Sequence, residues 1–411
     1  MVSAYAELEE RMRGRLGGRE CLHVPSCRFG LYLALRHWCR PGGRVLMSPV
    51  NDDVIFFVVL AAGLRPVQAP LDPRDGSIDT AAVPESLWSG LSAVLTTNLY
   101  GNPDPAPELR AHCDARGIPL LEDAAHAIGS TVGGRPVGTW GEASVFSLSK
   151  HTGAKTGGFL AFDDPALRSE LTAARDELLH PSRTSAELAY LVRPYAEATV
   201  RGLRLVKAAH ATLRLLGQQE REEIRMPLRA GELKQALAAA PGLAPFHSWV
   251  RVDMHDYRLG PGPGRLRRTE RLLARLDATL AAHRTGTERL LGTAWARGGE
   301  AEPGAREPGA TEPGGGEPGE VQPLFRVPLL VEDRDAAVSA LARRRIVTGY
   351  LYDPPLDTYA GELFTDPSPD PGPASWFARH ALPVDPRRAG EVIETLRAAG
   401  VRPVRYGDDR G

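Results

Sequence analysis

The feature that most constrains the fold of this 411-residue chain is a regular alternation of short apolar runs and helical stretches over residues 20–165. The strand-like runs are 44–50, 65–72, 93–101, 118–127, 144–149 and 158–164, and the helical stretches are 53–63 and about 105–116. Strands that alternate with helices pair in parallel, so the pattern predicts an α/β fold whose mostly parallel sheet is covered on both faces. Ligands of such sheets bind beyond the carboxyl ends of the strands, so we expect the site residues to lie there.

Composition divides the chain into three parts. We expect residues 15–165 to form the core of a large domain. Residues 166–250 are rich in Leu, Ala and Arg, and they predict a helical insert to which the sequence assigns no role. We expect residues 251–411 to form a smaller α+β domain that contains an amphipathic helix at 268–292. Its Gly-, Pro- and Glu-rich stretch at 297–322 predicts a disordered loop.

Charge and composition exclude several classes of protein. The formal net charge of −1 argues against a chain that binds nucleic acid or a membrane through its overall field. No apolar run reaches the roughly 18 residues needed to span a bilayer, and the charged N-terminal segment lacks the apolar core of a signal peptide. The four cysteines lack the paired spacing of a metal site. We therefore expect a cytoplasmic protein without a metal, nucleic-acid or membrane partner.

Two of the four lysines lie within "SVFSLSKHTGAKTGGFLAF", residues 144–162, and two interpretations compete there. Ser147-x-x-Lys150 followed by Lys155-Thr-Gly resembles the motif set of a serine acylase. That chemistry needs the second motif on a separate strand facing the first. Lys150 and Lys155 are five residues apart, so the spacing argues against an acylase.

The second interpretation makes Lys150 the Schiff-base lysine of a pyridoxal 5′-phosphate enzyme. Such a lysine needs a partly unprotonated amine, which burial and a nearby cationic ring promote. Ser147 or Ser149 would donate a hydrogen bond to the cofactor phosphate, and Gly157-Gly158 would allow a tight turn into the next strand.

Two other segments carry candidate site residues. Asp123 ends an apolar run, where it is either a helix cap or the partner of a protonated pyridine nitrogen, and His126 follows within reach of the same ring. Ser26-Cys27-Arg28 precede a helical pattern, where they form either an ordinary N-cap or a phosphate site. No His–Asp pattern supports Cys27 as a nucleophile.

The order of these segments resembles one family. The segments are "PSCRFGLYLAL", "TTNLYGNP", "PLLEDAAHAIGS", "GRPVGTWGEASVFSLSKHTGAKTGG" and "RVPLLVEDRDAAVSALARRRIVTGYLYDPPL". They resemble the DegT/StrS-type sugar aminotransferases, which are fold-type I pyridoxal-phosphate enzymes. The resemblance implies that residues 15–165 bind the cofactor. It implies a catalytic set of Lys150, Asp123 and His126, and a cofactor-binding set of Ser26, Cys27, Arg28, Tyr100, Asp123, His126, Ser147 and Lys150.

The resemblance also implies an activity. We expect an aminotransferase of secondary metabolism, such as antibiotic biosynthesis, that uses an amino-acid donor to aminate a keto-sugar, a cyclitol or a related small metabolite. We expect a homodimer with shared active sites. Two alternatives remain open: a pyridoxal-phosphate enzyme that catalyses elimination, aldol or carbon–carbon bond chemistry, and a catalytically idle scaffold subunit.

Three departures from the family pattern motivate these alternatives. The family has an aromatic residue that stacks on the cofactor ring, but residues 51–53 contain none. Two residues separate Ser147 from Lys150, where the family usually has four. Asp256 stands where the family has an Asn that reaches the partner subunit's phosphate, and we expect Arg28 or Arg258 to compensate its charge.

Overall fold

The computed structural model describes residues 2–185, 187, 188, 190, 225–252, 256–296 and 321–407. Residues 191–224 of the predicted helical insert and residues 297–320 of the predicted loop lie outside this described part. The strands are β1 (Glu20–Val24), β2 (Arg44–Met47), β3 (Arg65–Gln68), β4 (Ala93–Thr96), β5 (Leu120–Asp123), β6 (Thr131–Val132), β7 (Arg135–Pro136), β8 (Ala143–Ser147), β9 (Gly158–Phe162), β10 (Val327–Leu330) and β11 (Ala381–Val384).

Helices fill the connections between these strands. Those of the first half are α1 (Val2–Arg15), α2 (Cys27–Trp38), α3 (Asp53–Ala61), α4 (Glu85–Trp88), α5 (Ala106–Asp114) and α6 (Arg168–Leu178). Those of the second half are α7 (Ala230–Ala238), α8 (His247–Val250), α9 (Pro263–Leu273), α10 (Leu276–Leu291), α11 (Arg334–Arg343), α12 (Leu356–Ala360), α13 (Gly372–His380) and α14 (Ala389–Ala398).

A seven-stranded sheet in the order β1-β9-β8-β5-β4-β2-β3 forms the centre of the molecule. Within this sheet, neighbours among the five strands β3, β2, β4, β5 and β8 pair in parallel, whereas β9 runs antiparallel to both β8 and β1. The predicted α/β fold with a mostly parallel sheet is therefore confirmed. The crossover helices α3 and α5 make the parallel pairing possible, because each returns the chain to the edge where the next strand begins.

Apolar residues cover both faces of this sheet. Successive residues of a strand point to opposite faces, so Val145 packs with the core under α2 and α3 while Phe146 packs with the core under α1 and α10. Residues 54–61 of α3 are apolar on every side and wholly buried, which explains why this helix lacks an amphipathic pattern. The sheet is thus held rigidly between two helical layers.

The C-terminal part has its own small sheet, in which β10 pairs antiparallel with β11. Val327, Leu382 and Val392 lie in a separate apolar cluster between this sheet and the helices α11 and α14. We propose that the smaller domain is organised around this cluster. The prediction of a single helix at 268–292 is wrong, because the chain bends at Ala274–Arg275 to form two helices. The bend lets Leu273 and Leu276 pack on the same cluster beside α1.

None of the helices in the described ranges is both long and apolar enough to cross a bilayer. Within the same ranges, no three His, Cys, Asp or Glu side chains are grouped so that they could hold a metal ion.

Candidate active site

A cavity of about 400 Å³ opens at the carboxyl ends of the parallel strands. Asp123 is the last residue of β5 and Ser147 the last of β8, while the turn after β2 supplies Asp52 and the residue after β4 is Thr97. These side chains meet because parallel strands end at the same edge of the sheet. The predicted site residues that line the cavity are Ser26, Cys27, Arg28, Asp123, His126, Ser147 and Lys150.

Asp123 forms a buried acidic centre in the cavity wall. Its Oδ1 accepts hydrogen bonds from the Ala125 amide at 3.0 Å and from the Cys27 thiol at 3.7 Å. Burial raises the pKa of this carboxyl group to about 7, although both hydrogen bonds and the charge of Lys150 oppose the shift. A cationic group bound beside Asp123 would hold the carboxylate ionised, which is the pairing that a protonated pyridine nitrogen provides.

Lys150 follows β8 and extends into the same cavity. Surrounding protein atoms dehydrate its amine and lower its pKa below the ordinary value, against the opposing charge of Asp52. The Nζ atom lies 5.7 Å from the ring centre of Phe325 and 5.6 Å from that of Tyr350. A lowered pKa increases the share of the neutral amine, which is the form that acts as a nucleophile or as a base.

The short segment before Lys150 is a tight turn. The hydroxyls of Ser147 and Ser149 lie 2.8 Å apart, and the Ser149 amide donates to Ser147 Oγ at 3.3 Å. The Leu148 amide donates to the Gly157 carbonyl at 3.0 Å, which closes the loop from the other side. Two residues between Ser147 and Lys150 are therefore enough to place both side chains in the cavity.

The N-terminus of α2 forms another part of the cavity wall. Ser26 caps this helix, because its Oγ accepts from the Phe29 amide at 3.3 Å. The first turn of a 12-residue helix presents unbonded amides and a positive dipole end, which favour a bound anion. Both interpretations of Ser26 are thus compatible, since the residue caps the helix and also lines the cavity.

Gly158 must be glycine for the cavity to form. A Cβ atom there would lie 2.3 Å from the Phe146 carbonyl oxygen and 3.1 Å from the Cys27 amide nitrogen. The backbone of β9 therefore passes directly against the first residue of α2. The preceding Gly157 has a φ of 98°, a left-handed conformation that side chains disfavour.

His126 lies in an aromatic wall. Its ring stacks on Phe325 at 5.0 Å and on Tyr100 at 6.3 Å between ring centres. Burial and then the charge of Lys150 lower the pKa of His126 well below its usual range, so the imidazole is neutral. Tyr100 is not among the residues that line the cavity: its ring supports His126 from behind, and its hydroxyl donates to the Tyr350 carbonyl at 2.7 Å.

The sequence did not single out several residues that the fold brings to the cavity. They are Asn51, Asp52, Val54, Ile55, Thr97, Leu99, Ala125, Val252, Tyr350 and Tyr352. Lys155 and Thr156, which the sequence drew attention to only through the acylase-like motif, also line the cavity. The two tyrosines lie within "GYLYDPPL", so an aromatic pair beside a proline turn was the available signal. Asp52 occupies the stretch where the family has a ring-stacking aromatic, and it caps α3 by accepting from the Val54 amide at 3.0 Å.

Asp256 contacts its own chain rather than the cavity. Its Oδ2 lies 2.6 Å from His180 Nδ1, and its Oδ1 accepts from the Arg258 amide at 3.0 Å. The Arg258 guanidinium donates to the Leu178 carbonyl, and the Arg28 guanidinium lies 5.4 Å from the ring centre of Tyr257. His180 is therefore the side chain that faces Asp256 within the described residues.

These features fit pyridoxal 5′-phosphate. If the cofactor binds in this cavity, Asp123 would pair with the pyridine nitrogen, Lys150 would reach the aldehyde carbon, and the start of α2 with Ser147 would hold the phosphate. The sheet order and this set of side chains define a fold-type I pyridoxal-phosphate enzyme.

Comparison with known proteins gives the family. The family model for the DegT/DnrJ/EryC1/StrS aminotransferases matches residues 3–256, more than half of the chain, and the protein belongs to this family. The spore coat polysaccharide biosynthesis protein SpsC of Bacillus subtilis is 28% identical over 268 residues, which cover 62% of this chain and 67% of SpsC. The cofactor of the protein described here, as of its family, is pyridoxal 5′-phosphate.

Two solved structures share the fold. The aminotransferase TlmJ from Streptoalloteichus hindustanus superimposes with a TM-score of 0.64 at 21% identity, over 96% of this chain and 90% of TlmJ. The E. coli GDP-4-keto-6-deoxy-D-mannose-3-dehydratase, solved with bound hydrated pyridoxal phosphate, has a TM-score of 0.66 at 16% identity, over 97% and 91% of the two chains. The proteins with this fold thus include both an aminotransferase and a dehydratase.

Proposed function

We propose that this protein is an aminotransferase that transfers an amino group from an amino acid to a keto group of a sugar, a cyclitol or a related small metabolite. The observation that carries the proposal is the pairing of Lys150 and Asp123 in one cavity at the carboxyl edge of the sheet. Family membership supports the same class of reaction.

The roles follow from the surroundings of the two side chains. When bound, pyridoxal phosphate supplies an electron sink for negative charge at the carbon that bears the substrate amino group. Asp123 would keep the ring nitrogen protonated by offering a carboxylate. Lys150 Nζ would accept the proton from the substrate carbon as a general base and would then donate it as a general acid. Burial lowers the pKa of Lys150, which favours the neutral, proton-accepting form of the amine.

The lining of the cavity supports a hydroxyl-rich substrate. Asn51 and Thr97 hydrogen-bond to each other at 3.1 Å, and both line the cavity. Asp52 and the rim residue Tyr350 add polar atoms, and Tyr350 is 55% exposed. Polar groups beside an aromatic surface suit a ring that carries hydroxyls on its edge and C–H groups on its faces. SpsC, to which this chain is similar, is named as a polysaccharide biosynthesis protein, and this name also favours a sugar substrate.

A half-reaction tests the proposal. The purified protein should bind pyridoxal phosphate with a visible absorbance band, and excess glutamate or glutamine should convert this band to that of pyridoxamine phosphate. Lys150→Ala should abolish both the band and the conversion. Lys234→Ala, which changes an exposed lysine of α7, is the matched control and should behave as wild type. A wild-type protein that binds no cofactor, or whose cofactor no donor converts, would contradict an aminotransferase.

An elimination reaction is the second candidate, since the structurally similar E. coli protein is a dehydratase. The half-reaction with glutamate or glutamine partly separates an aminotransferase from a dehydratase, and analysis of the released product completes the test. A dehydratase would release a deoxygenated sugar, whereas an aminotransferase would release an amino sugar. A protein that binds cofactor and performs neither reaction would fit the idle scaffold.

We also propose that the protein acts as a cytoplasmic homodimer in the biosynthesis of an antibiotic or a related secondary metabolite. The segment Asp256–Arg258 is the element that we assign to the shared active site, on the family pattern. Sedimentation equilibrium should give twice the mass of the chain, and a monomer that retains full activity would refute the shared site.

A further inference from the structure

We propose that Lys155 is the cation that binds the cofactor phosphate, and that it comes from the same chain as Lys150. The inference rests on the cofactor site described above and does not depend on which reaction the enzyme catalyses. It assigns a role to the second lysine of the 144–162 segment, which the family motifs leave unexplained.

The first support is the path of the chain across the end of α2. The Gly157 amide donates to the Pro25 carbonyl at 2.8 Å, and the Cβ position of Gly158 is 3.1 Å from the Cys27 amide nitrogen. Gly157 and Gly158 therefore run across the N-terminus of α2, directly after Lys155 and Thr156. Lys155 lines the cavity together with the first turn of this helix and with Ser147.

The second support is the charge that a phosphate brings. A phosphate monoester carries a charge of about −1.5 to −2 near neutral pH, whereas a helix N-terminus supplies only about +0.5. Hydroxyls such as those of Ser147 and Ser149 donate hydrogen bonds without adding charge. A positively charged side chain at this end of the cavity is needed to balance the anion.

The third support is the identity of the other charged groups at this end. Asp256 stands where the family has its phosphate-binding Asn, and it contacts His180 and the Arg258 amide instead. Arg28 also lines the cavity, but its guanidinium lies over the Tyr257 ring, at 5.4 Å from the ring centre. Lys155 is exposed and lines the cavity, two residues before Gly157, whose amide donates to the Pro25 carbonyl.

Comparing two cofactor forms isolates the phosphate contact. The apoprotein is titrated with pyridoxal phosphate and, separately, with pyridoxal, which has the same ring and aldehyde but no phosphate. Lys155→Ala should raise the Kd for pyridoxal phosphate by about tenfold to a hundredfold, the usual size of a lost charged hydrogen bond. The same substitution should change the Kd for pyridoxal by less than about twofold.

Two further variants control the experiment. Lys155→Arg keeps the charge and should retain most of the affinity, whereas Lys234→Ala should change neither Kd, because Lys234 is exposed on α7. If Lys155→Ala weakens both ligands equally, the residue maintains the fold and the proposal is wrong. The proposal is also wrong if the variant binds pyridoxal phosphate as wild type does. A wild-type protein that prefers pyridoxal phosphate to pyridoxal but lacks the glutamate half-reaction would refute the proposed function alone.

Discussion

At the scale of single residues, the chemistry depends on a small group of ionisable side chains that share one dehydrated cavity. Burial moves the pKa of Asp123 up to about 7 and the pKa of Lys150 down, so each shift favours the neutral form. Burial also raises the pKa of the Cys27 thiol well above its usual value. Cys27 therefore stays a thiol that donates to Asp123, which argues against a nucleophilic cysteine.

Asp123 should make the stability of the apoprotein depend on pH. Its folded-state pKa of about 7 lies above the ordinary value of 3.8, so its contribution to stability is complete below pH 3.8 and is lost as pH rises through 7. Linkage then predicts that the apoprotein loses about 1 kcal/mol of unfolding free energy between pH 6 and pH 8 through this group.

Urea denaturation at the two pH values measures this loss. Asp123→Asn keeps the shape of the side chain and an oxygen for the Ala125 amide, but it cannot ionise. The variant should therefore show a loss smaller by about 1 kcal/mol than wild type. Equal losses in the two proteins would show that Asp123 does not titrate in this range. The same variant should slow the half-reaction with glutamate by at least about a hundredfold, because the ring nitrogen loses its anionic partner.

At the scale of elements, the cavity depends on how closely β9 approaches α2. The amide nitrogen of Cys27 and the carbonyl oxygen of Phe146 enclose Gly158 from two sides. The hydrogen bond between the Gly157 amide and the Pro25 carbonyl holds the same approach. The elements that would bind the two ends of the cofactor are thus built on one rigid contact, and a displacement of β9 would move Lys150 and the phosphate end relative to each other.

Gly158→Ala tests this contact. The added methyl group meets backbone atoms at 2.3 Å, so β9 must shift and the free energy of unfolding should fall by about 1–3 kcal/mol. The Kd for pyridoxal phosphate should rise with it. Gly231→Ala in α7 is the matched control: its Cβ meets nothing within 4 Å, and alanine should stabilise the helix by about 0.5–1 kcal/mol. A Gly158→Ala protein as stable as wild type would refute the close approach.

At the scale of the whole molecule, the C-terminal part completes the cavity wall. Residues 322–326 lie against a row of histidines: His151 Nε2 is 3.2 Å from the Pro323 carbonyl, and His283 Nδ1 is 2.7 Å from the Leu324 carbonyl. Phe325 contacts His126, His151 and His283 through its ring. These contacts place Phe325 beside Lys150, so the two parts of the chain form one site.

The buried histidines should make the protein sensitive to acid. Burial lowers the pKa of His151 to about 3 from an ordinary 6.5, so its contribution to stability is present above pH 6.5 and is lost as pH falls toward 3. Linkage predicts a loss of about 2 kcal/mol between pH 7 and pH 5 from this residue. His151→Gln, which keeps a donor for the Pro323 carbonyl, should lose about 2 kcal/mol less over the same interval. Parallel curves for the two proteins would contradict the assignment.

Much of the fold and part of the site could be predicted without coordinates. The runs that contain β2, β4 and β5 are apolar and end in polar residues, and the topology of a parallel sheet then requires those ends to meet. This topology predicts Asp123 as a site residue, whereas the prediction of Ser147 and Lys150 rests on the lysine-containing segment 144–162. The bend between α9 and α10 was missed, because the leucine pattern continues through it and only packing against α1 decides where the helix breaks.

The sequence by itself determined the class of fold and the family, and it predicted Lys150 as the reactive lysine, because periodicity, strand ends and motif spacing are local properties of a chain. Only the tertiary structure decided what surrounds that lysine. Asp52 arrives from the turn after β2, and Phe325 and Tyr350 arrive from the C-terminal part, about 200 residues further along the chain. The same long-range packing turned Tyr100 away from the cavity and turned Asp256 toward His180. Local pattern cannot specify contacts of this kind, because they depend on how separate layers pack against one another.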